Sequence, residues 1–309
     1  MQLMPLLRAS DLKIRDPFVL PLAAERVYYL YGTTDKIPWG GHPGEGFDTY
    51  RSRDLIHWEG PFPAFRPEPG FWGEYSFWAP EVHAWRDRFY MFATFQSKRV
   101  PLGTQILVAD HPLGPFRPHS PGPVTPAGDA CLDGTLFVGD DGRPWMIFSR
   151  DWPQIAVGRY SALPLRDDLS AAAGPAIDLF AVNTAAWVRT PPWQQERDAK
   201  GLPPCYVADG AWPFRLRSGE LCLLFSSWNE TNYATGIARS ASGQLAGPWQ
   251  CDATAFFPDN GGHAMIFTGF DSMSYLALHQ PNGPPPEHPR IFPMTEAAGQ
   301  IRLQPPLAP

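Results

Sequence analysis

The chain has 309 residues, of which 44% are hydrophobic and 14% aromatic, and it carries a formal net charge of −6. This composition is typical of a globular protein with a substantial core. The acidic balance and the lack of a run of basic residues argue against a nucleic acid or an anionic membrane as partner, because both need clustered lysine and arginine. A neutral or weakly charged ligand is therefore expected.

In chain order, five segments have the pattern of a β-hairpin, in which two β-prone runs flank a polar turn. The third, CLDGTLFVGDDGRPWMIFSR at residues 131–150, is the clearest because its turn is Gly-Asp-Asp-Gly. The first strands lie at residues 14–20, 78–85, 132–137, 207–214 and 261–267, and the second strands at 27–34, 89–95, 145–148, 220–228 and 274–280. Helical periodicity is limited to residues 165–173 and 194–200, too short for a series of alternating strands and helices.

Each hairpin carries one polar residue near the start of its first strand, and these residues follow one another after 65, 52, 76 and 54 positions. They are Asp16, Glu81, Asp133, Asp209 and His263. Such spacings suit a repeated four-stranded unit. The sequence predicts an all-β fold, a five-bladed β-propeller with four-stranded antiparallel blades around a central channel, as a single domain over residues 1–309. Because the first strand of each blade lines the channel, the five polar side chains are expected to converge.

Three motifs resemble glycoside hydrolase family 43, whose members are five-bladed propellers that cleave arabinofuranosides, xylosides and some galactosides. They are RDP at residues 15–17, WAPEVH at 78–83 and LDGTLFVGDDGRPW at 132–145, and the similarity extends over nearly the whole chain. The resemblance implies an inverting reaction, in which a protonated carboxyl group protonates the leaving oxygen while an ionised carboxylate activates water. It also implies that Asp16 is the general base and that Asp133 orients the acid and raises its pKa.

The chain departs from the family at the general acid. Members usually have a glutamate before glycine in the fourth blade, whereas this chain has Asp209 before Gly210. Asp209 is the first choice for the acid, Asp151 in the phrase DWPQ is the second, and Glu81 is the third. An aspartate reaches roughly 1 to 1.5 Å less far than a glutamate, and positional errors of about 1 Å reduce rates strongly. A non-catalytic carbohydrate-binding propeller is therefore kept as an alternative.

The predicted activity is that of an exo-acting α-L-arabinofuranosidase on small oligosaccharides. β-Xylosidase, β-galactosidase and β-galactofuranosidase activities stay open, because their substrates differ by a hydroxyl orientation or one carbon. A levan- or sucrose-acting enzyme is a further alternative, in which Asp16 would act as a nucleophile with retention of configuration.

Sugar-binding residues are expected around the channel, where Arg15 and Glu81 can contact hydroxyl groups. Aromatic faces pack on the C–H surfaces of sugars, and the tryptophans considered for this role are Trp39, Trp72, Trp78, Trp152 and Trp212. Insertions at residues 40–46, 68–76 and 190–204 are expected to wall a pocket. His263 is either a core histidine or, from the family resemblance, a ligand of a structural calcium ion. No cofactor is expected to be required.

The first 18 residues contain no apolar segment of signal-peptide length, and nowhere do 18 apolar residues run together. These features predict a cytoplasmic protein without a membrane partner. The oligomeric state is not predicted.

Overall fold

The computed structural model describes residues 6–38, 41–150, 152–283 and 286–308. These residues form five antiparallel sheets arranged in a ring around a channel, which confirms the predicted five-bladed β-propeller. Each sheet is built from consecutive strands, with the first strand of the hairpin pattern innermost. The first blade has β2 (Arg15–Leu22), β3 (Val27–Thr33), β4 (Phe47–Ser52) and β5 (His57–Phe65), with β1 (Leu7–Arg8) added at its outer edge.

The remaining four blades have four strands each, as predicted. The second blade has β6 (Tyr75–Trp85), β7 (Arg88–Gln96), β8 (Gly103–Ala109) and β9 (Arg117–Pro123). The third has β10 (Cys131–Val138), β11 (Pro144–Arg150), β12 (Arg159–Pro164) and β13 (Ile177–Ala181). The fourth has β14 (Asp209–Arg215), β15 (Leu221–Trp228), β16 (Tyr233–Ser240) and β17 (Trp249–Cys251). The fifth has β18 (Gly262–Thr268), β19 (Ser274–Gln280), β20 (His288–Ala297) and β21 (Gln300–Leu303).

Helices are short and lie between strands. The α-helices are α1 (Trp152–Ile155) and α2 (Gln194–Asp198), the latter within the predicted segment 194–200, and 3₁₀ helices occur at Ala9–Asp11 and Val182–Thr184. Residues 165–173 form turns instead of a helix, because their amides bond locally, as in Leu169 N to Arg166 O (2.8 Å). Within the described part of the chain, no helix combines the length and apolar character that crossing a bilayer requires.

Aromatic side chains fill the space between neighbouring blades. Phe47 and Phe65 of the first blade pack against Phe77 and Phe95 of the second, with ring centroids 5.8 to 6.2 Å apart. All four rings are buried, and burying one such side chain stabilises a fold by about 1.5 to 3 kcal/mol. This packing holds adjacent blades at a defined angle and so defines the shape of the channel.

Contacts between the first and fifth blades close the ring. The Ile14 amide donates to the Glu287 carbonyl oxygen (3.1 Å), and the imidazole of His288 lies 2.8 Å from the Leu12 carbonyl oxygen. No strand is exchanged between these two blades among the described residues. Ring closure therefore depends on loop and side-chain contacts near β2 and β20.

A β-bulge occurs in the first strand of every blade, where the pairing register shifts. The residues with positive φ at these bulges are Asp16 (55°), Ala79 (45°), Asp133 (55°), Gly210 (50°) and His263 (51°), and β6 has a second register shift at Ser76 (57°). A bulge re-aims a side chain and is common beside active sites. Three of the five predicted polar residues occupy the bulge itself, whereas Glu81 follows it by two residues and Asp209 precedes it by one. The sequence-based alignment of the blades is thus wrong at two positions.

Most bulges are held by a side chain from the second strand of the preceding blade. The amides of Ala79, Asp133 and His263 donate to the hydroxyl oxygens of Thr33 (2.9 Å), Thr94 (2.9 Å) and Ser226 (2.8 Å) respectively. The Asp16 amide donates to Nδ1 of His279 (3.3 Å). In the fourth blade, the Gly210 amide donates instead to Oδ2 of Asp133 (3.1 Å). This exception joins the third and fourth blades through a carboxylate.

Candidate active site

A cavity of about 420 Å³ lies over the starts of β2, β10 and β14, where three of the predicted carboxylates meet. Its polar lining comes from Arg15, Asp16, Asp133, Asp209, Tyr233, Asn282 and Glu287. Its apolar lining includes Trp78, Leu132, Pro153, Trp193, Val207, Ala208 and Trp228. A mostly apolar concave site with a few converging polar groups is typical of a small-ligand site.

Asp16 lies between two cationic side chains. Its Oδ1 is 3.2 Å from Nε of Arg15 and 3.1 Å from Nδ1 of His263, and its Oδ2 accepts a hydrogen bond from Thr33 (2.8 Å). Burial raises the pKa of a carboxyl group, but here Arg15 and His263 outweigh burial and lower the pKa of Asp16 to about 2. Asp16 is therefore ionised at neutral pH, as a general base must be.

Asp209 is also surrounded by donors. Its Oδ2 accepts a hydrogen bond from the Tyr233 hydroxyl (2.6 Å) and contacts the Arg15 guanidinium (3.2 Å), while its Oδ1 is 3.6 Å from Nδ1 of His263. Burial is again outweighed, and His263 and Arg15 hold the pKa of Asp209 well below its usual range. The carboxylate chosen from the sequence as the acid is thus an anion in the free enzyme.

Asp133 has the opposite tendency. It is buried, lies 3.9 Å from Nδ1 of His263, and has a carboxylate oxygen within 4.8 Å of one of Asp209. Burial raises the pKa of Asp133 well above its usual range, the His263 charge opposes this only in part, and the charge of Asp209 adds to the rise. Of the two carboxyl groups, Asp133 is therefore the one that holds a proton more readily.

His263 lies at the centre of the carboxylates. Besides its contact with Asp16, its Nε2 faces Oε1 of Glu81 at 3.9 Å. Burial lowers the pKa of an imidazole, but Asp16 and Asp133 outweigh burial and raise the pKa of His263 well above its usual value. His263 is thus an imidazolium that balances part of the negative charge.

The cluster around His263 is the predicted site of a calcium ion. Asp133, Asp209 and His263 each offer one potential ligand atom, and these three atoms lie within 4.8 Å of one another. Calcium prefers six to eight oxygen ligands, whereas an imidazolium offers no lone pair and the Arg15 guanidinium already contacts Asp209. These residues do not suit a bound cation in this arrangement, and no chemical step is derived through one.

Arg15 connects two carboxylates of the cavity with the contacts that close the ring. Its guanidinium contacts Asp16 and Asp209, and its Nη1 also bonds to Oε1 of Glu287 (2.6 Å) and Oδ1 of Asn282 (2.6 Å). Arg15 lines the cavity, but these contacts engage all three guanidinium nitrogens. Its main part in the free enzyme is therefore to organise charge between the first, fourth and fifth blades.

The other predicted sugar-binding residues lie in different surroundings. Trp78 lines the cavity and donates from Nε1 to the Pro38 carbonyl oxygen (2.7 Å). Glu81 is buried beside His83 and does not line the cavity. Trp212 stacks on His83 with ring centroids 6.1 Å apart, also away from the cavity lining.

Other residues predicted for the site lie away from the cavity or outside the described residues. Trp72 donates from Nε1 to Gln105 (2.6 Å) in a different groove. Trp39 and Asp151 lie outside the described residues, and Trp152 begins α1 with its side chain also outside them. Of the three insertions expected to wall the pocket, only residues 190–204 contribute to the described lining, through Trp193.

Several lining residues were missed by sequence reasoning. They are Trp193, Trp228, Tyr233, Asn282 and Glu287. Trp193 had a signal, because it belongs to a tryptophan-containing insertion. Tyr233 opens the third strand of its blade and Glu287 follows the last hairpin, so neither shares the phase that identified the channel carboxylates.

The distance between the proposed base and acid has an upper bound. The contacts of 3.1 and 3.6 Å that His263 Nδ1 makes with Asp16 Oδ1 and Asp209 Oδ1 place these two oxygens no more than 6.7 Å apart. Carboxyl groups are about 5 to 5.5 Å apart in retaining glycosidases and about 6.5 to 9.5 Å apart in inverting ones. The bound admits both geometries, so stereochemistry has to be measured.

Comparison with known proteins agrees with the motifs and the fold. The model of glycosyl hydrolases family 43 matches residues 10–298. An extracellular exo-α-(1→5)-L-arabinofuranosidase of Cellvibrio japonicus (strain Ueda107) is 25% identical over 314 aligned residues, covering 88% of this chain and 80% of that protein. The crystal structure of an endo-arabinase from Bacteroides thetaiotaomicron VPI-5482 is 34% identical with a TM-score of 0.87, covering 97% of this chain and 100% of that one.

An α-L-arabinofuranosidase from Lactobacillus brevis, 18% identical with a TM-score of 0.70 and matched over 94% of this chain and 95% of that one, shares the fold. The family match spans all five blades and includes every carboxylate of the cavity. The chain therefore belongs to glycosyl hydrolases family 43 and is a glycoside hydrolase.

Proposed function

We propose that the protein is an exo-acting, inverting α-L-arabinofuranosidase that acts on small oligosaccharides. The observation that carries the proposal is that Asp16, beside Arg15 and His263, faces the same cavity as the carboxyl pair Asp133 and Asp209. The pKa of Asp16 is lowered and that of Asp133 is raised. A base and an acid on different blades are what an inverting hydrolysis needs. The arabinofuranosidase and arabinase relatives support arabinose as the sugar.

In the proposed reaction, Asp16 accepts a proton from a water molecule as the water oxygen attacks the anomeric carbon. The Asp133–Asp209 pair gives its proton to the leaving oxygen, through Asp209 as the more accessible member. His263 and Arg15 stabilise the negative charge that this transfer leaves behind. This scheme keeps Asp16 as the general base and gives Asp133 the role of storing the proton that Asp209 delivers.

The exo mode is supported by the size of the cavity. Its volume of about 420 Å³ is near the lower end of small-ligand sites, about 300 to 1,000 Å³. Trp193 and Trp228, whose ring centroids are 5.3 Å apart, wall one side of it. A cavity of this size suits a terminal sugar with a short leaving group.

An endo-acting arabinanase is the second candidate, because the Bacteroides thetaiotaomicron structure is an endo-arabinase and matches at 34% identity over its whole length. Incubation with linear arabinan separates the two modes. An exo enzyme releases arabinose alone from the first minutes, whereas an endo enzyme first produces a ladder of longer oligosaccharides.

A panel of aryl glycosides tests the sugar itself. We expect release from the α-L-arabinofuranoside, with weaker or no release from β-xyloside, β-galactoside and β-galactofuranoside. Asp16→Asn is the matched control, because a carbohydrate-binding propeller without activity would give the same result for both proteins. Absence of release from every member of the panel would overturn the proposal.

We also propose a cytoplasmic location and no requirement for a metal ion. The Cellvibrio japonicus relative is extracellular, so fractionation of the producing cells is the appropriate test. Recovery of the protein from the medium would contradict the first proposal, and loss of activity on chelation would contradict the second.

A further inference from the structure

Tyr233 is the closest hydrogen-bond donor to the Asp209 carboxylate. Its hydroxyl donates to Oδ2 at 2.6 Å, shorter than the 3.2 Å contact from Arg15 to the same oxygen. Charge-assisted hydrogen bonds of this length are among the strong ones in proteins. With Oδ2 occupied by two donors, Oδ1 is the oxygen that faces the His263 side of the site at 3.6 Å.

The tyrosine ring is itself held on several sides. It is 1% exposed, stacks on His279 with ring centroids 5.7 Å apart and planes at 19°, and meets Trp228 edge-on at 5.7 Å. A Cβ atom on Gly262 would lie only 2.2 Å from Cε1 of Tyr233, so glycine at that position makes room for the ring. The hydroxyl therefore reaches Asp209 from a fixed position.

From these contacts we propose that Tyr233 is a positioning residue for the general acid, one that holds Asp209 in the orientation from which it serves the leaving oxygen. This inference rests on the proposed glycosidase function. It also bears on the unusual aspartate at the acid position. Aspartate is shorter than glutamate, and a fixed hydrogen-bond donor limits the loss of rate that comes from a misplaced carboxylate.

The proton transfer explains why the contact matters in the transition state. The bond from the anomeric carbon to the leaving oxygen breaks, the leaving oxygen takes the proton of the Asp133–Asp209 pair, and water bonds to the anomeric carbon while giving a proton to Asp16. The pair carries one negative charge before this step and two after it. In the later state the two carboxylates repel each other, and the Tyr233 hydroxyl holds Asp209 in place against this repulsion. A proton returned from Asp16 through water restores the starting state.

Substrates with different leaving groups separate this role from a structural one. A 2,4-dinitrophenyl group leaves without needing a proton, whereas a methyl group needs one. For Tyr233→Phe, we expect kcat to fall about 10- to 100-fold on methyl α-L-arabinofuranoside. On the dinitrophenyl substrate we expect a loss of less than about threefold, with KM on both substrates within about twofold of the wild-type values.

The matched control is Tyr275→Phe. Tyr275 is also buried and makes the same type of contact, from its hydroxyl to Oδ2 of Asp271 at 2.7 Å, but neither residue lines the cavity. This variant should keep wild-type rates on both substrates. In the Asp209→Asn background, Tyr233→Phe should add little further loss on the methyl substrate, because the carboxylate on which it acts is gone.

An equal loss on both substrates would show a structural role and overturn the inference, as would wild-type rates on both. If the thermal unfolding curve shows that Tyr233→Phe is not folded, Tyr233→His is measured with the same two substrates. The quantity compared is the ratio of kcat on the two substrates within one variant. A wild-type enzyme that cleaves neither arabinofuranoside would instead overturn the proposed function. The two failures are therefore distinguishable.

Discussion

Replacing Asp16 with asparagine removes the charge that we propose as the general base and that Arg15 and His263 stabilise in the fold. The pKa of Asp16 falls from 3.8 to about 2 in the folded protein. At about 1.36 kcal/mol per pKa unit, this difference corresponds to roughly 2 kcal/mol of folding free energy. The side chain is only 5% exposed, so solvent screens its ion pairs little. Asp16→Asn should therefore lower the free energy of unfolding at pH 7 by about that amount.

The pH dependence of this loss has a definite sign. Because the folded pKa lies below the unfolded one, the ionised carboxylate stabilises the fold above about pH 4, and the stabilisation disappears as the pH falls through about 2. Urea unfolding curves of wild type and Asp16→Asn should therefore converge towards acidic pH. Their kcat values should differ by about 100- to 10,000-fold at pH 7, as expected on removing a general base.

Asp87→Asn is the control for this experiment, since Asp87 is exposed in a turn and should tolerate the change. Catalysis by Asp16→Asn within tenfold of wild type would refute the assignment of the base. Stability equal to wild type at pH 7 would refute the ion-pair account of Arg15 and His263.

Three further predictions concern the acid pair, the bulge and metal dependence. Asp133→Asn should reduce kcat but unfold at a higher urea concentration than wild type at pH 7. Burial and Asp209 raise the pKa of Asp133, so its ionisation destabilises the folded protein, and asparagine removes that cost. The difference in unfolding midpoint should vanish below about pH 4, where the wild-type carboxyl group is protonated in both states. Gly210→Ala should lower both kcat and the urea midpoint of unfolding, because a Cβ atom there would lie 2.7 Å from Cγ of His263. Gly219→Ala is the control, since Gly219 also has positive φ but open space around it, and its unfolding midpoint should fall less. Equal effects of the two substitutions would contradict the steric argument. Dialysis against a chelator should leave kcat unchanged, and activity restored by calcium after such treatment would refute the proposal.

Much of the architecture was predictable because each blade repeats one local pattern. A β-hairpin requires only neighbouring residues, so strands such as β10 and β11 are visible in the sequence without knowledge of the fold. The convergence of Asp16, Asp133 and His263 follows from the repeat, since each occupies the bulge of its own first strand. The family resemblance then supplied roles for the first two.

The alignment failed where a bulge and a polar residue do not coincide. In the second blade the bulge residue is Ala79, which gives no polar signal, so Glu81 was aligned in its place. Glu81 lies two residues beyond the bulge and points below the cavity towards His83 and His263. Spacing along the chain cannot locate the extra residue of a bulge, because the residue before and the residue after are equally compatible with an extended strand.

The location of the proton was also beyond sequence reasoning. Asp209 and Asp133 both precede glycine and look alike in the sequence. Their difference arises from three-dimensional contacts, since Tyr233 and Arg15 both reach Asp209 while Asp133 receives the Gly210 amide. Tyr233 itself is distant from every motif that identified the site.

The configuration of the first product tests the central claim most directly, namely that Asp16 activates water while the Asp133–Asp209 pair protonates the leaving oxygen. Proton NMR during hydrolysis of an aryl α-L-arabinofuranoside should show the β anomer of arabinose first, followed by mutarotation. Initial appearance of the α anomer would mean that a carboxylate attacks the sugar directly, and it would contradict the assignment of Asp16 as a base.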